Sequence, residues 1–150
     1  MSAGPWNESL KINQDGEYFA RVVASAERVL FDDKVEVYYR REGGGVSKFS
    51  AKKAESLFRS IESMANTALQ IEDSIRMQQM ISNRWQQFIY TVYPYSPELL
   101  ELAQKKLAHL PAPTVANPNA VSTASKTFSA IFGWKALTQA RLLRNKLRGL

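Results

Sequence analysis

From Val46 to Tyr93 the chain contains neither glycine nor proline. So long a stretch without a helix breaker, carrying apolar side chains at helical spacing, constrains the fold more than any other feature. The stripe runs Ile61, Ala65, Ala68, Ile71 (or Glu72), Ile75, then Met80, Ile81, Trp85, Phe88, Ile89 and Val92. Ser50 stands where an N-cap belongs, ahead of Ala54, Leu57, Phe58 and Ile61. The pattern predicts one helix from Ser50 to about Val92, or two that break near Asn66 or Gln70. A helix that outruns its own domain needs cover. Ile75, Ile81, Trp85, Phe88 and Ile89 are therefore expected to pack against another subunit, the alternative being a bend that folds the second half onto the first.

Residues 1–16 read as an N-terminal arm ending in the turn Gln14-Asp15-Gly16. Tyr18, Phe19, Val22, Val23, Ala26, Val29 and Leu30 then recur at helical spacing and predict a helix over about 17–31. From Lys34 to Arg40 the period switches to two, with Val35, Val37 and Tyr39 on one face and Glu36, Tyr38 and Arg40 on the other. Gly43-Gly44-Gly45 supplies a turn and Val46-Ser47-Lys48-Phe49 a returning strand. Tyr93-Pro94-Tyr95-Ser96-Pro97 stops the long helix, and Ser96-Pro97-Glu98 opens a short one that Pro111 and Pro113 end. The expected fold is thus α+β, mostly α: a helix–β-hairpin–helix body over 17–93 with a long second helix, a short helix over 94–110, a linker over 111–127, and an extended C-terminal arm over 128–150.

Charge is distributed unevenly. Residues 1–60 hold ten Lys/Arg and nine Asp/Glu, residues 61–110 hold four and five, and residues 111–150 hold six basic residues and no acid. The whole excess of +6 therefore sits at one end, which suits an anionic partner. Within that end, Phe128, Ile131, Phe132, Trp134, Leu137, Leu142, Leu143 and Leu147 lie among Lys135, Arg141, Arg144, Lys146 and Arg148. All of these except Leu143 and Lys135 are the candidate partner-binding residues. Such a helix docks in a protein groove, touches phosphates, or lies on a membrane. The preceding linker implies reach beyond the body, which favours a partner protein over lipid.

Catalysis finds little support. His109 is the single histidine and sits at the end of a predicted helix, where it complements the helix dipole. Asp32, Asp33 and Glu36 lack the spacing of a calcium loop. The three glycines are not followed by a phosphate-binding Lys-Ser/Thr, and no serine lies in Gly-x-Ser-x-Gly. Trp85, Phe88, Tyr90, Tyr93 and Tyr95 suit packing better than base stacking, since Arg84 is the one basic residue nearby. With no cysteine, disulfides and thiolate metal sites are excluded, and the redox compartment is not indicated. No leader-like start and no membrane-spanning run is expected. The reading is a protein that is not an enzyme and needs no cofactor or metal.

Residues 17–64 resemble the head–tail joining module typified by the W protein of lambda-like phages. The features that carry the likeness are the opening amphipathic helix to Phe31, the Lys34-Val35-Glu36-Val37 strand, the glycine turn, and Phe49-Ser50-Ala51 leading into Leu57-Phe58 and Ile61-Glu62. The resemblance implies a structural virion protein, a connector or adaptor subunit in a homo-oligomeric ring that joins a portal to tail or neck proteins. It also implies non-specific contact with packaged DNA, no membrane, and residence at the virion head–tail junction after assembly in the host cytoplasm. The alternative is a nucleic-acid-binding protein using Arg141, Arg144, Lys146 and Arg148 on phosphates. A peripheral membrane protein comes third.

Overall fold

The computed structural model describes residues 2–36, 38 and 50–147. Among them are five helices and no strand: α1 Gln14–Ser25, α2 Ala51–Ile71, α3 Ile75–Val92, α4 Pro97–Leu107 and α5 Thr123–Leu147. The expected α+β fold is corrected, among the described residues, to an all-helical one. Of the predicted hairpin, Val35, Glu36 and Tyr38 have irregular backbone, while Val37 and residues 39–49 lie outside the described residues. A two-stranded ribbon is marginal unless its apolar face is covered, and Val35 and Tyr38 stand 67% and 86% exposed. The Asp32 carboxylate instead accepts a hydrogen bond from the Lys34 N–H at 2.9 Å, a local turn that competes with strand pairing.

The chain divides into two compact units, residues 1–78 and 79–150. In the first, α1 packs along α2. It opens earlier and closes sooner than the predicted 17–31. Asn13 takes a left-handed backbone (φ 59°) and its carbonyl accepts from the Glu17 N–H at 3.1 Å. At the other end the Ser25 hydroxyl donates to the Arg21 carbonyl at 2.8 Å, and the Ala26 N–H donates to Val23 at 3.2 Å, a tightened last turn. Beyond it Val29, Leu30 and Phe31 are exposed, so continuing the helix would bury none of them.

The core of this unit is Leu10 from the N-terminal segment with Ala54, Phe58 and Ile61 of α2. Beside it runs a polar seam. Ser56, Ser60 and Ser63 recur along α2 at helical spacing. The Ser56 Oγ accepts from the Lys11 and Ile12 N–H groups at 2.6 and 3.3 Å, the Asn13 Nδ2 donates to the Ser60 Oγ at 3.0 Å, and the Ser63 hydroxyl donates to Glu17 at 2.8 Å. Glu17 is 3% exposed and pairs with Arg21 at 2.9 Å. Arg21 also donates to the carbonyls of Ala3 and Pro5, so one guanidinium ties the chain start to α1.

Ser50 caps α2 as its position implies, its hydroxyl accepting from the Lys53 N–H at 3.4 Å. The long helical stretch is two helices, and it breaks at Glu72–Ser74, a few residues beyond Asn66 and Gln70. The Ser74 hydroxyl accepts from the Met77 N–H at 3.2 Å and the Asp73 carboxylate from the Gln78 side chain at 2.7 Å. Ser74 is thus the local cap that starts α3.

In the second unit α3 buries Ile81, Ser82, Trp85, Phe88, Ile89 and Val92, α4 buries Leu100 and Ala103, and α5 buries Leu137 and Thr138. Pro97 occupies the first turn of α4 after Ser96. Residues 111–115 form no regular element but are fastened to α3. The Ser82 hydroxyl donates to the Pro111 carbonyl at 2.6 Å and the Gln79 amide to the Ala112 carbonyl at 2.9 Å. The Asn83 Oδ1 accepts from the Thr114 and Val115 N–H groups at 2.7 and 3.2 Å. A segment with no large apolar side chain beyond Val115 is held by side-chain hydrogen bonds instead.

Candidate functional site

The acid-free end of the chain is organised around α5. Ser122 and Ser125 start it with a reciprocal cap: each hydroxyl accepts from the other's N–H, at 3.2 and 2.9 Å. Gly133 then interrupts it with φ 81° and ψ 158°, a conformation close to glycine-only. The element is therefore two helical segments, 123–132 and 134–147, joined by a bend.

The second segment is anchored in its own unit. The Trp134 ring meets Tyr90 and Tyr93 edge-on, both with centroids 5.2 Å away. Gln139 donates to the Tyr93 hydroxyl at 2.7 Å, and the Lys135 ammonium lies 5.8 Å from the Tyr93 and Trp134 ring centroids. Burial pushes the Tyr90 phenol up, against a smaller opposing hydrogen bond from Gln86, so the ring stays neutral where it packs. On the same side, Asn119 donates to the Thr138 hydroxyl at 3.3 Å and accepts from Arg141 at 3.2 Å. The connection before α5 is thus pinned at both ends, by Asn83 and by Asn119.

What remains open is mixed. Phe128 and Phe132 stack on each other with centroids 4.8 Å apart, and with Ile131 they occupy one face of the first segment. Ile131 is 68% and Phe132 63% exposed. On the second segment Leu142, Leu143 and Leu147 are exposed. A shallow groove of about 290 Å³ is lined by Gln139, Leu142, Leu143 and Lys146. Lys126, Lys135, Arg144 and Lys146 are exposed around these apolar side chains.

The predicted partner-binding residues therefore divide. Phe128, Ile131, Phe132, Leu142, Arg144, Lys146 and Leu147 are on the surface; Leu137 is buried, Trp134 and Arg141 are partly covered, and Arg148 lies outside the described residues. Of the residues expected to pack between subunits, Ile81, Trp85, Phe88 and Ile89 are buried within the second unit itself, and Ile75 is exposed. Lys135 and Leu143, part of the same sequence pattern though not among the candidate residues, and Lys126 at its start join the open surface. His109 follows α4 in a turn. Among the described residues no group of three or more His, Asp or Glu side chains is placed to hold a metal.

No protein-family model matches this chain, and neither does any curated protein or solved structure.

Proposed function

We propose that this chain is an assembly protein that docks through α5 on an anionic partner. One observation carries the reading. The inward face of α5 is occupied by its own unit through Trp134, Leu137 and Thr138, yet large apolar side chains and lysines remain together on the outside, in a segment free of acids. Exposed apolar groups rimmed by one sign of charge mark an interaction surface. The test is retention on heparin, a polyanion. The full chain is retained and elutes with salt; joint replacement of the exposed Lys126, Lys135, Arg144 and Lys146 by glutamate abolishes retention. Unchanged retention refutes the proposal.

A ring-forming connector, implied by the resemblance to head–tail joining proteins, is a finer version in which the partner belongs to a virion. The exposed Ile75 of α3 speaks for it, as an apolar position left for a neighbouring copy. Native mass of the full chain decides: a closed ring of identical subunits supports it, and a monomer at all concentrations rules it out.

A further inference from the structure

We propose that the anionic partner is a lipid surface, and that α5 lies in the plane of the membrane interface with Phe128, Ile131, Phe132 and the outer leucines in the acyl boundary. The inference rests on the docking reading and narrows it to one partner.

The surface left open on α5 suits a bilayer better than a protein groove. Phe128, Ile131 and Phe132 lie at positions i, i+3 and i+4, so they form one apolar face of the 123–132 segment. Past Gly133 the open side holds Lys135, Leu142, Leu143 and Lys146, leucine and lysine side by side. In a protein groove an amphipathic helix offers an unbroken apolar stripe at i, i+3, i+4 and i+7. Here the stripe is cut by the glycine bend and continues with lysines between the leucines. At a bilayer that mixture is favourable, because lysine stems extend along apolar surface while their ammonium groups reach the headgroups.

Charge points the same way. Residues 111–150 carry six basic side chains and no acidic one, and Lys126, Lys135, Arg144 and Lys146 among them are exposed, so no acidic side chain in the segment repels a negatively charged leaflet. Nucleic acid offers the same charge but no place for aliphatic groups: Ile131, Leu143 and Leu147 gain nothing from a phosphate backbone, and stacking needs flat rings. No described helix is long and apolar enough to cross a membrane, so the proposed contact is one of α5 lying on the surface, not spanning it.

Sedimentation of the full chain with vesicles tests this. One vesicle is phosphatidylcholine alone; the other replaces about one-third of it with phosphatidylglycerol. The expected result is binding to the anionic vesicle at least about tenfold tighter than to the neutral one, weakened by salt. Ile131→Ser with Phe132→Ser is expected to weaken vesicle binding by about tenfold while leaving heparin retention unchanged. Both residues are exposed, and if circular dichroism shows the double variant misfolded, Ile131→Ser alone, which leaves the charge unchanged, gives the same readout. Retention on heparin without vesicle binding overturns the lipid proposal and leaves the docking reading standing. So does vesicle binding that ignores both apolar substitutions, or duplex DNA bound in place of vesicles. Failure to bind heparin and vesicles alike removes both readings.

Discussion

Glu17 shows how a single side chain organises the first unit. Burial pushes its carboxyl up, but the hydrogen bonds from Arg21 and Ser63 and the Arg21 charge outweigh that and hold it below the ordinary carboxylate range. Its folded value is lower than its unfolded one, so the stabilisation is present at pH values above the unfolded glutamate value of about 4.3 and is lost as pH falls through the folded value. Thermal melting should show the first unit weakening under acid, and Glu17→Gln should flatten that dependence while costing about 1–3 kcal/mol at neutral pH. Ser56→Ala strands the N–H groups of Lys11 and Ile12 and is expected to cost a similar amount, about 1–3 kcal/mol, read as earlier urea unfolding and faster proteolysis of the first dozen residues. Neither role was legible in the sequence. A glutamate four residues before an arginine on a helix looks like an ordinary surface pair; what holds it inside is Ser63 of α2, a contact made over more than forty positions of sequence.

At the scale of elements, the local signals were readable and the distant ones were not. The Ser50 cap, the first-turn Pro97 and the proline stops act through their own neighbours, so α2 and α4 start where the residues say, although Ser96 holds its N-cap position without a side-chain capping bond. Ser74 is a signal of the same kind, and it places the break between α2 and α3 later than the apolar spacing alone suggests. The period-two run from Lys34 to Arg40 misleads because alternation states only what a strand would do if something covered its face. The seat of Trp134 against Tyr90 and Tyr93 was unreadable for a related reason: aromatic composition does not say which rings meet. Two substitutions probe these elements. Gly133→Ala has empty space around the added methyl, so its effect is purely backbone: about 1–3 kcal/mol of lost stability in the second unit, measured by denaturant unfolding. Asn83→Ala removes the hydrogen bonds to Thr114 and Val115 and should open residues 111–115 to protease with α3 intact by circular dichroism.

For the molecule as a whole, the decisive pattern is that acid and base balance over residues 1–110 while the last forty carry the entire net charge. Association through that end should fall with ionic strength, and substitutions in the first unit should leave it untouched. The division into two units also has an optical consequence. Trp6 sits in the first unit with its ring 5.0 Å from Tyr18, partly in water, whereas Trp85 and Trp134 belong to the second, one sealed and one wedged between tyrosines. The chain thus carries its own set of fluorophores, sorted by location. A Trp6→Phe protein would emit only from the second unit, at the short wavelengths of shielded indole, and a paired Trp85→Phe, Trp134→Phe protein would glow redder from the first, so that each half can be followed by its own colour as the other is perturbed.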